Sequence, residues 1–231
     1  NGKLALSLLS GSGASPSVNQ VAVVNTTDLP VLAFTMKSDY EAIKVSSLKL
    51  TATTTGSALT ATTTLKNIKI REGSATGKVI ASAPQFDACT VSVCTITFTA
   101  SDNIFTDPIP TTGLKVYVTV DVAAGGEAVL GNSFKFAIVS STGDVTAKGA
   151  VSAVSVTSTN LTGPPTANGV TFIVPQKVTI SANTITTNPG TAAGTTIGSF
   201  KLLNGGSAAV YLSTSTPFTI TSVQTWYQTL N

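Results

Sequence analysis

The run Leu114-Lys115-Val116-Tyr117-Val118-Thr119-Val120-Asp121-Val122 places an aliphatic residue at every even position. Side chains of an extended strand point alternately to opposite faces, so this run lies as a strand with its even positions toward a core. Similar alternations recur about every ten residues with turn signals between them, a spacing that predicts a β-sandwich or barrel. Strands are expected over residues 4–9, 20–24, 31–37, 42–52, 65–71, 78–81, 93–99, 114–122, 133–139, 151–157, 169–175, 177–182, 195–203, 208–213 and 218–223. Turns are marked by Gly56-Ser57, Glu72-Gly73, Gly125-Gly126, Thr142-Gly143-Asp144 and Asn204-Gly205-Gly206. No window combines helical periodicity with caps, so no long helix is expected.

Phase within the strands carries more detail. Ile43 and Val45 set one face and Leu48 and Leu50 the other, which predicts a β-bulge or the end of a pairing at Ser46-Ser47. A weak internal repeat is also present. Lys3-Leu4-Ala5-Leu6-Ser7 parallels Lys177-Val178-Thr179-Ile180-Ser181, and Val31-Leu32-Ala33-Phe34-Thr35-Met36 parallels Ile197-Gly198-Ser199-Phe200-Lys201-Leu202. Ala42-Ile43-Lys44-Val45 then parallels Ala209-Val210-Tyr211-Leu212. The expected division is a full sandwich over residues 1–175 and a partial or smaller second β module over 176–231, with Pro175 stiffening the join.

Composition narrows the habitat. Charged residues are only 10% of the chain, well below the roughly 25% of an ordinary soluble domain. Thr and Ser, 65 of 231 residues, take their place, and threonine suits a pleated surface while its hydroxyl keeps an outer face wettable. Mean hydropathy is +0.34. Such a surface fits sugar coating, packing against neighbours, or a secreted monomer held in solution by hydroxyls. The net charge of +3 is small, and Arg71 with Lys66, Lys69 and Lys78 reads as a solvated strand face, so no nucleic-acid partner is expected. No acid follows Asp144, where only Lys148, Lys177 and Lys201 carry charge, and this leaves a region with little like-charge defence against association. No run of about 20 apolar residues exists to form a membrane span. No signal peptide is visible, and Asn1 would suit either a cleavage product or a fragment.

The chain has no histidine, which excludes serine–histidine and cysteine–histidine catalysis. It also leaves Cys89 and Cys94 short of zinc partners, so no metal and no cofactor are expected. In one straight strand these cysteines would stand about 16 Å apart, whereas a disulfide needs Cα atoms within about 7 Å. A bond therefore requires a tight turn over Thr90–Val93, and a disulfide closing that small loop is expected. Asp39 with Glu41, and Asp102 with Asp107, are weak calcium candidates that lack a spaced D-x-D-x-D motif; turn and loop solvation is the ordinary role for such acids. Gly11-Ser12-Gly13 is a small-residue linker, and no phosphate-loop pattern occurs. Trp226, Tyr227 and Tyr211 are the weak candidates for a sugar-stacking platform. Asn25-Thr26-Thr27 and Asn160-Leu161-Thr162 are N-glycosylation sequons, making Asn25 and Asn160 candidate acceptors, and the Thr-rich stretch 51–64 is a candidate for O-linked sugar.

Three segments, Lys44–Leu50, Leu65–Gly73 and Gly113–Asp121, resemble the Ig-like modules of large prokaryotic cell-surface proteins, which are strung in tandem in surface layers, stalks, adhesins and pilus-like fibres. The resemblance spans residues 1–175 and restarts near Lys177. It rests on strand pattern and transfers no site residues. It implies an Ig-like antiparallel β-sandwich, an extracellular or cell-surface location and a non-catalytic structural role. Assembly with other copies or with neighbouring surface modules is then expected through strand edges or strand donation, with Leu4, Leu6 and Leu8 as the candidate assembly strand. The alternative is a carbohydrate-binding or adhesive module of a larger secreted protein, with polysaccharide as partner.

Overall fold

A computed structural model describes residues 2–9, 20–55, 64–124, 133–138, 143–163, 165–166, 171–174, 178–183 and 199–204. Two compact units divide the chain, Asn1–Lys177 and Val178–Asn231. In chain order the described strands are β1 (Lys3–Leu8), β2 (Gln20–Val23), β3 (Leu29–Asp39), β4 (Ile43–Thr55), β5 (Leu65–Glu72), β6 (Val79–Ala83), β7 (Ala88–Cys89), β8 (Val93–Thr99), β9 (Leu114–Val122), β10 (Ser133–Ala137), β11 (Val145–Gly149), β12 (Leu161–Thr162), β13 (Thr171–Val174), β14 (Val178–Asn183) and β15 (Ser199–Asn204). A 3-10 turn spans Ser158–Asn160.

The first unit holds two sheets that are mostly antiparallel. One runs β12-β1-β3-β9-β5-β6; the other runs β2-β13-β10-β4-β8-β7, with β11 also bonded to β4. Their inner faces share one core. Leu4, Leu6, Phe34, Met36, Ile70, Val116, Val118 and Val120 come from the first sheet, and Val45, Leu50, Ile96, Phe98, Phe134 and Phe136 from the second. The Phe134 and Phe136 rings meet edge to face at 5.8 Å, a favoured aromatic geometry. Each fully buried Leu, Val or Phe contributes about 1.5–3 kcal/mol, so the two sheets hold each other.

On β9 the even-numbered valines are buried, as period-two alternation requires, but Tyr117 and Thr119 on the opposite face are buried too. β9 is a central strand between β3 and β5, and its outer face is covered by Arg71 from β5. The Arg71 Nε donates to Thr119 Oγ1 at 3.2 Å. This corrects the reading of Arg71 as part of a solvated strand face. Nor are the hydroxyls confined to wet faces: Ser38, Thr51, Thr54, Thr64, Thr119 and Ser133 are all buried.

The long strand β4 carries the expected irregularity. Thr146 of β11 lies opposite Ser47 and the next residue, Ala147, opposite Val45, so Ser46 is the extra residue of a bulge. The bulge lets Ile43, Val45, Leu48 and Leu50 all reach the core despite their phase change. The expected strand at 151–157 is not formed. The strand at this point is β11, which begins six residues earlier, and the chain then turns back through Ala153 at φ +57, with the Gly149 N–H donating to the Val154 carbonyl at 2.9 Å.

The second unit is described by its own hairpin, β14 antiparallel to β15, with Ile180 opposite Leu202 and Ala182 opposite Phe200.

Candidate functional site

Strand direction defines two poles of the first unit. β1 begins opposite the end of β3, with Lys3 across from Asp39, and the Tyr40–Ala42 turn carries the chain into β4. This proximal pole therefore holds Gly2, Tyr40, Glu41 and, through the Lys44 to Lys148 pairing, the turn after β11. β10 runs antiparallel to β4 with Ser133 opposite Thr55, and β13 runs antiparallel to β10 with Phe172 opposite Ser133. The last residue of β13, Val174, thus lies at the distal pole. The described chain starts and leaves this unit at opposite ends.

Three carboxylates fasten the proximal pole. Glu41 accepts from the Val151 and Ser152 N–H groups at 3.2 and 3.0 Å and from the Ser152 hydroxyl at 2.7 Å. Gly149 is required beneath it, because a Cβ there would run into the Glu41 carboxylate and the Ser152 hydroxyl. Glu72 accepts from the Thr106 N–H and hydroxyl, both at 2.8 Å. Asp102 sits between Lys44 at 2.5 Å and Lys148 at 3.1 Å, two lysines directly opposed on β4 and β11. Like charges in that register repel, and Asp102 offsets them. The hydrogen bonds to Ser152 hold Glu41 below the usual carboxylate range, and the bonds from Lys44 and Lys148 do the same for Asp102.

This pole also exposes large apolar side chains. Tyr40 is 80% exposed and Val151 89%. Tyr40 has φ +74, the left-handed region that costs a non-glycine residue free energy, and Lys3 Nζ lies 5.9 Å from its ring centroid. Nearby a groove of about 280 Å³ is lined by Glu72, Asp107, Pro108, Pro110 and Leu114. Both Glu72 oxygens in its wall accept hydrogen bonds from Thr106. Sequence reading missed Tyr40, whose turn geometry shows only in three dimensions.

The distal pole is built differently. Cys89 and Cys94 are disulfide-bonded with Cα atoms 4.1 Å apart. The turn that brings them together is closed by the Thr90 N–H donating to the Val93 carbonyl at 2.8 Å, leaving Cys89 and Cys94 as the next facing pair of β7 and β8. Facing residues outside a hydrogen-bonded pair stand about 4.5 Å apart, close enough for a cross-strand disulfide. The β2–β3 turn is tied down by Asp28, which accepts from Arg71 Nη2 at 2.6 Å and from Lys69 Nζ at 2.7 Å, while its N–H donates to Asp121 at 2.8 Å. Lys69 chiefly, with Arg71, holds the Asp28 carboxyl below its usual range.

The remaining sequence candidates fall as follows. Asn25 is exposed in the turn tied down by Asp28, at φ +66, a conformation asparagine tolerates. Asn160 is half-buried in the 3-10 turn, its side-chain amide donating to Thr157 Oγ1 at 3.4 Å. Leu4, Leu6 and Leu8 lie on β1, which is bonded within its own chain on both edges, to β3 and β12. Leu4 and Leu6 are buried in the core and Leu8 packs against it, so the strand is already in use in its own sheet. Asp39 and Glu41 do not converge on a cation site, since Glu41 is taken by the 151–152 turn, and Asp102 faces lysines. Among the described residues no three His, Cys, Asp or Glu side chains gather as a metal site. Tyr211, Trp226 and Tyr227 lie outside the described residues, as does 56–63 of the Thr-rich stretch. No helix among the described residues is long and apolar enough to cross a membrane.

Searched against family models and against characterised proteins, the chain matches none of them.

Proposed function

We propose that this chain is a non-catalytic, extracellular structural subunit of a cell surface or filament, built on an Ig-like sandwich and assembling with copies of itself or with neighbouring modules through strand-edge or strand-donation contacts. The observation that carries the reading is strand polarity. Gly2 and Val174 lie at opposite poles of the first unit, so the described chain crosses this sandwich from one pole to the other. The disulfide fits an oxidising, extracellular location, and the low charge, with no acid after Asp144, suits lateral packing. Electron microscopy and light scattering of the native protein over a concentration series test the reading. Filaments or a lattice are expected; a monomer that persists at every concentration with its native surface intact overturns it.

A further inference from the structure

The two sequons have the same pattern and opposite surroundings. Asn25-Thr26-Thr27 lies in the connection between β2 and β3 at the distal pole. The Thr26 N–H donates to the Val23 carbonyl at 3.2 Å, which makes Val23–Thr26 a four-residue turn with Asn25 at its third position. A positive φ at that position belongs to the type II turn, and asparagine accepts it where most residues do not; Asn25 has φ +66. The end of β9 fixes the turn from below. The Asn25 N–H donates to the Ala123 carbonyl at 3.0 Å, and the Val122 N–H donates to the Thr26 carbonyl at 2.8 Å. These anchors are main-chain groups, so they do not use the Asn25 side chain. Asn25 and Thr27 are both exposed, and among the described residues the Asn25 side-chain amide has no hydrogen-bond partner.

Asn160-Leu161-Thr162 is built into the sandwich. Leu161 and Thr162 form β12, paired with Leu4 and Ala5 of β1, and Leu161 is buried in the core. Asn160 is half-buried, and its side-chain nitrogen donates to Thr157 Oγ1 at 3.4 Å. Gly163 follows at φ +68, so close to β1 that a Cβ there would run into the Leu6 carbonyl. Attaching a bulky, hydrated glycan requires a sequon on an accessible surface loop. To present Asn160 the chain would have to lift β12 off its sheet and Leu161 out of the core. To present Asn25 it breaks no side-chain contact.

We infer that Asn25 is an N-glycosylation site and that Asn160 is not. The donor is a glycan carried on a lipid-linked phosphate or diphosphate. Asn25 Nδ2 forms a bond to the anomeric carbon, the bond from that carbon to the phosphate oxygen breaks, the phosphate leaves with the electron pair, and the amide gives up one proton. A glycan there would hydrate the distal pole of a chain with only 10% charged residues. The inference goes beyond the assembly reading and shares with it only the extracellular location.

The test is a site map of the native protein taken from its host. Trypsin releases Leu4–Lys37, which carries Asn25, and Gly149–Lys177, which carries Asn160. Mass spectrometry with a fragmentation that keeps sugar on the peptide should place a glycan on Asn25, with occupancy at least tenfold above that of Asn160. A bare Asn25 overturns the inference, and so does sugar found only on the Thr and Ser hydroxyls of Leu4–Lys37, or equal occupancy of the two asparagines. Expressed in the same host, Thr27→Ala should lower Asn25 occupancy at least tenfold, whereas Thr27→Ser should retain it. Sugar on Asn25 that survives Thr27→Ala would show that the sequon is not what is read and would overturn the assignment. The map of the native protein does not depend on any variant folding. Filaments formed by a chain with bare Asn25 would overturn this inference and leave the assembly reading standing; a glycosylated chain that stays monomeric at every concentration would do the reverse.

Discussion

The two poles of the sandwich are secured by different chemistry. At the proximal pole Glu41, Glu72 and Asp102 each accept hydrogen bonds from loop amides, hydroxyls or lysines near the surface. At the distal pole a covalent bond closes one hairpin, and the Arg71 guanidinium, beneath the surface, anchors the β2–β3 turn through Asp28. Both ends should therefore answer to acid, through Glu41 and Asp102 at one and Asp28 at the other, but only the distal end should answer to reduction or to loss of a single cation. Connections cross between the sheets at both poles, β3 to β4 and β8 to β9 at the proximal one and β2 to β3 at the distal one, yet they are fastened by different groups.

Removing the disulfide is the strongest way to break this contrast. Cys89→Ser with Cys94→Ser should lower the stability of the first unit by about 2 kcal/mol, the loop-entropy expectation for so short a loop. Chemical denaturation with and without reductant measures it, and the reductant should have no effect on the double variant. Arg71→Met comes next. It leaves Thr119 Oγ1 and the Gly77 carbonyl, at 2.9 Å from Nη1, without their donor. Since Asp28 is half exposed, the lost ion pair is largely screened, and a total of about 1–2 kcal/mol is expected from the buried hydrogen bonds. Faster exchange at the Asp28 amide would locate the loss at the distal pole.

Acid should act on both poles, at the proximal one through Glu41 and Asp102. The bonded forms of Glu41 and Asp102 are the charged ones and their acidities are raised, so their contribution is complete above the ordinary carboxylate values and is lost as the pH falls through the lowered ones. Loosening is thus expected below about pH 4. The Val151 and Ser152 amide resonances should shift with a midpoint below that of an exposed glutamate, and in Glu41→Gln this transition should disappear. A midpoint at the ordinary value would show that the carboxylate does not hold the turn. The smallest effect is expected from Tyr40→Gly, where relief of the left-handed backbone offsets the added freedom of the unfolded chain. Stability should change by no more than about 0.5 kcal/mol, and a larger loss would mean that the Tyr40 ring contributes contacts beyond Lys3.

Much of this architecture was legible in the residues. The alternation at Leu114–Val122 gave the strand and its inward face, the phase change at Ser46-Ser47 marked the bulge, and the spacing of Cys89 and Cys94 required the turn between them. Each is a local signal, set by the period of a strand or the reach of a short loop. The errors have the opposite character. Arg71 looked solvated because burial depends on β9 and the distant Asp28. Residues 151–157 looked extended, although the turn there is held by Glu41, more than a hundred positions earlier.

The sequence by itself determined the class of structure: strands with one apolar face, a small closed hairpin, and a second unit that begins as the first does. Periodicity along the chain is enough for that, because each strand carries its own pattern of faces. The tertiary structure decided which edges are filled, which charges are buried, and at which pole each loop lies, since these depend on partners far apart in the chain. That is why β1 and β14, so similar in sequence, differ in their surroundings: β1 belongs to a sheet completed by β9, and the sheet begun by β14 and β15 has no such strand among the described residues.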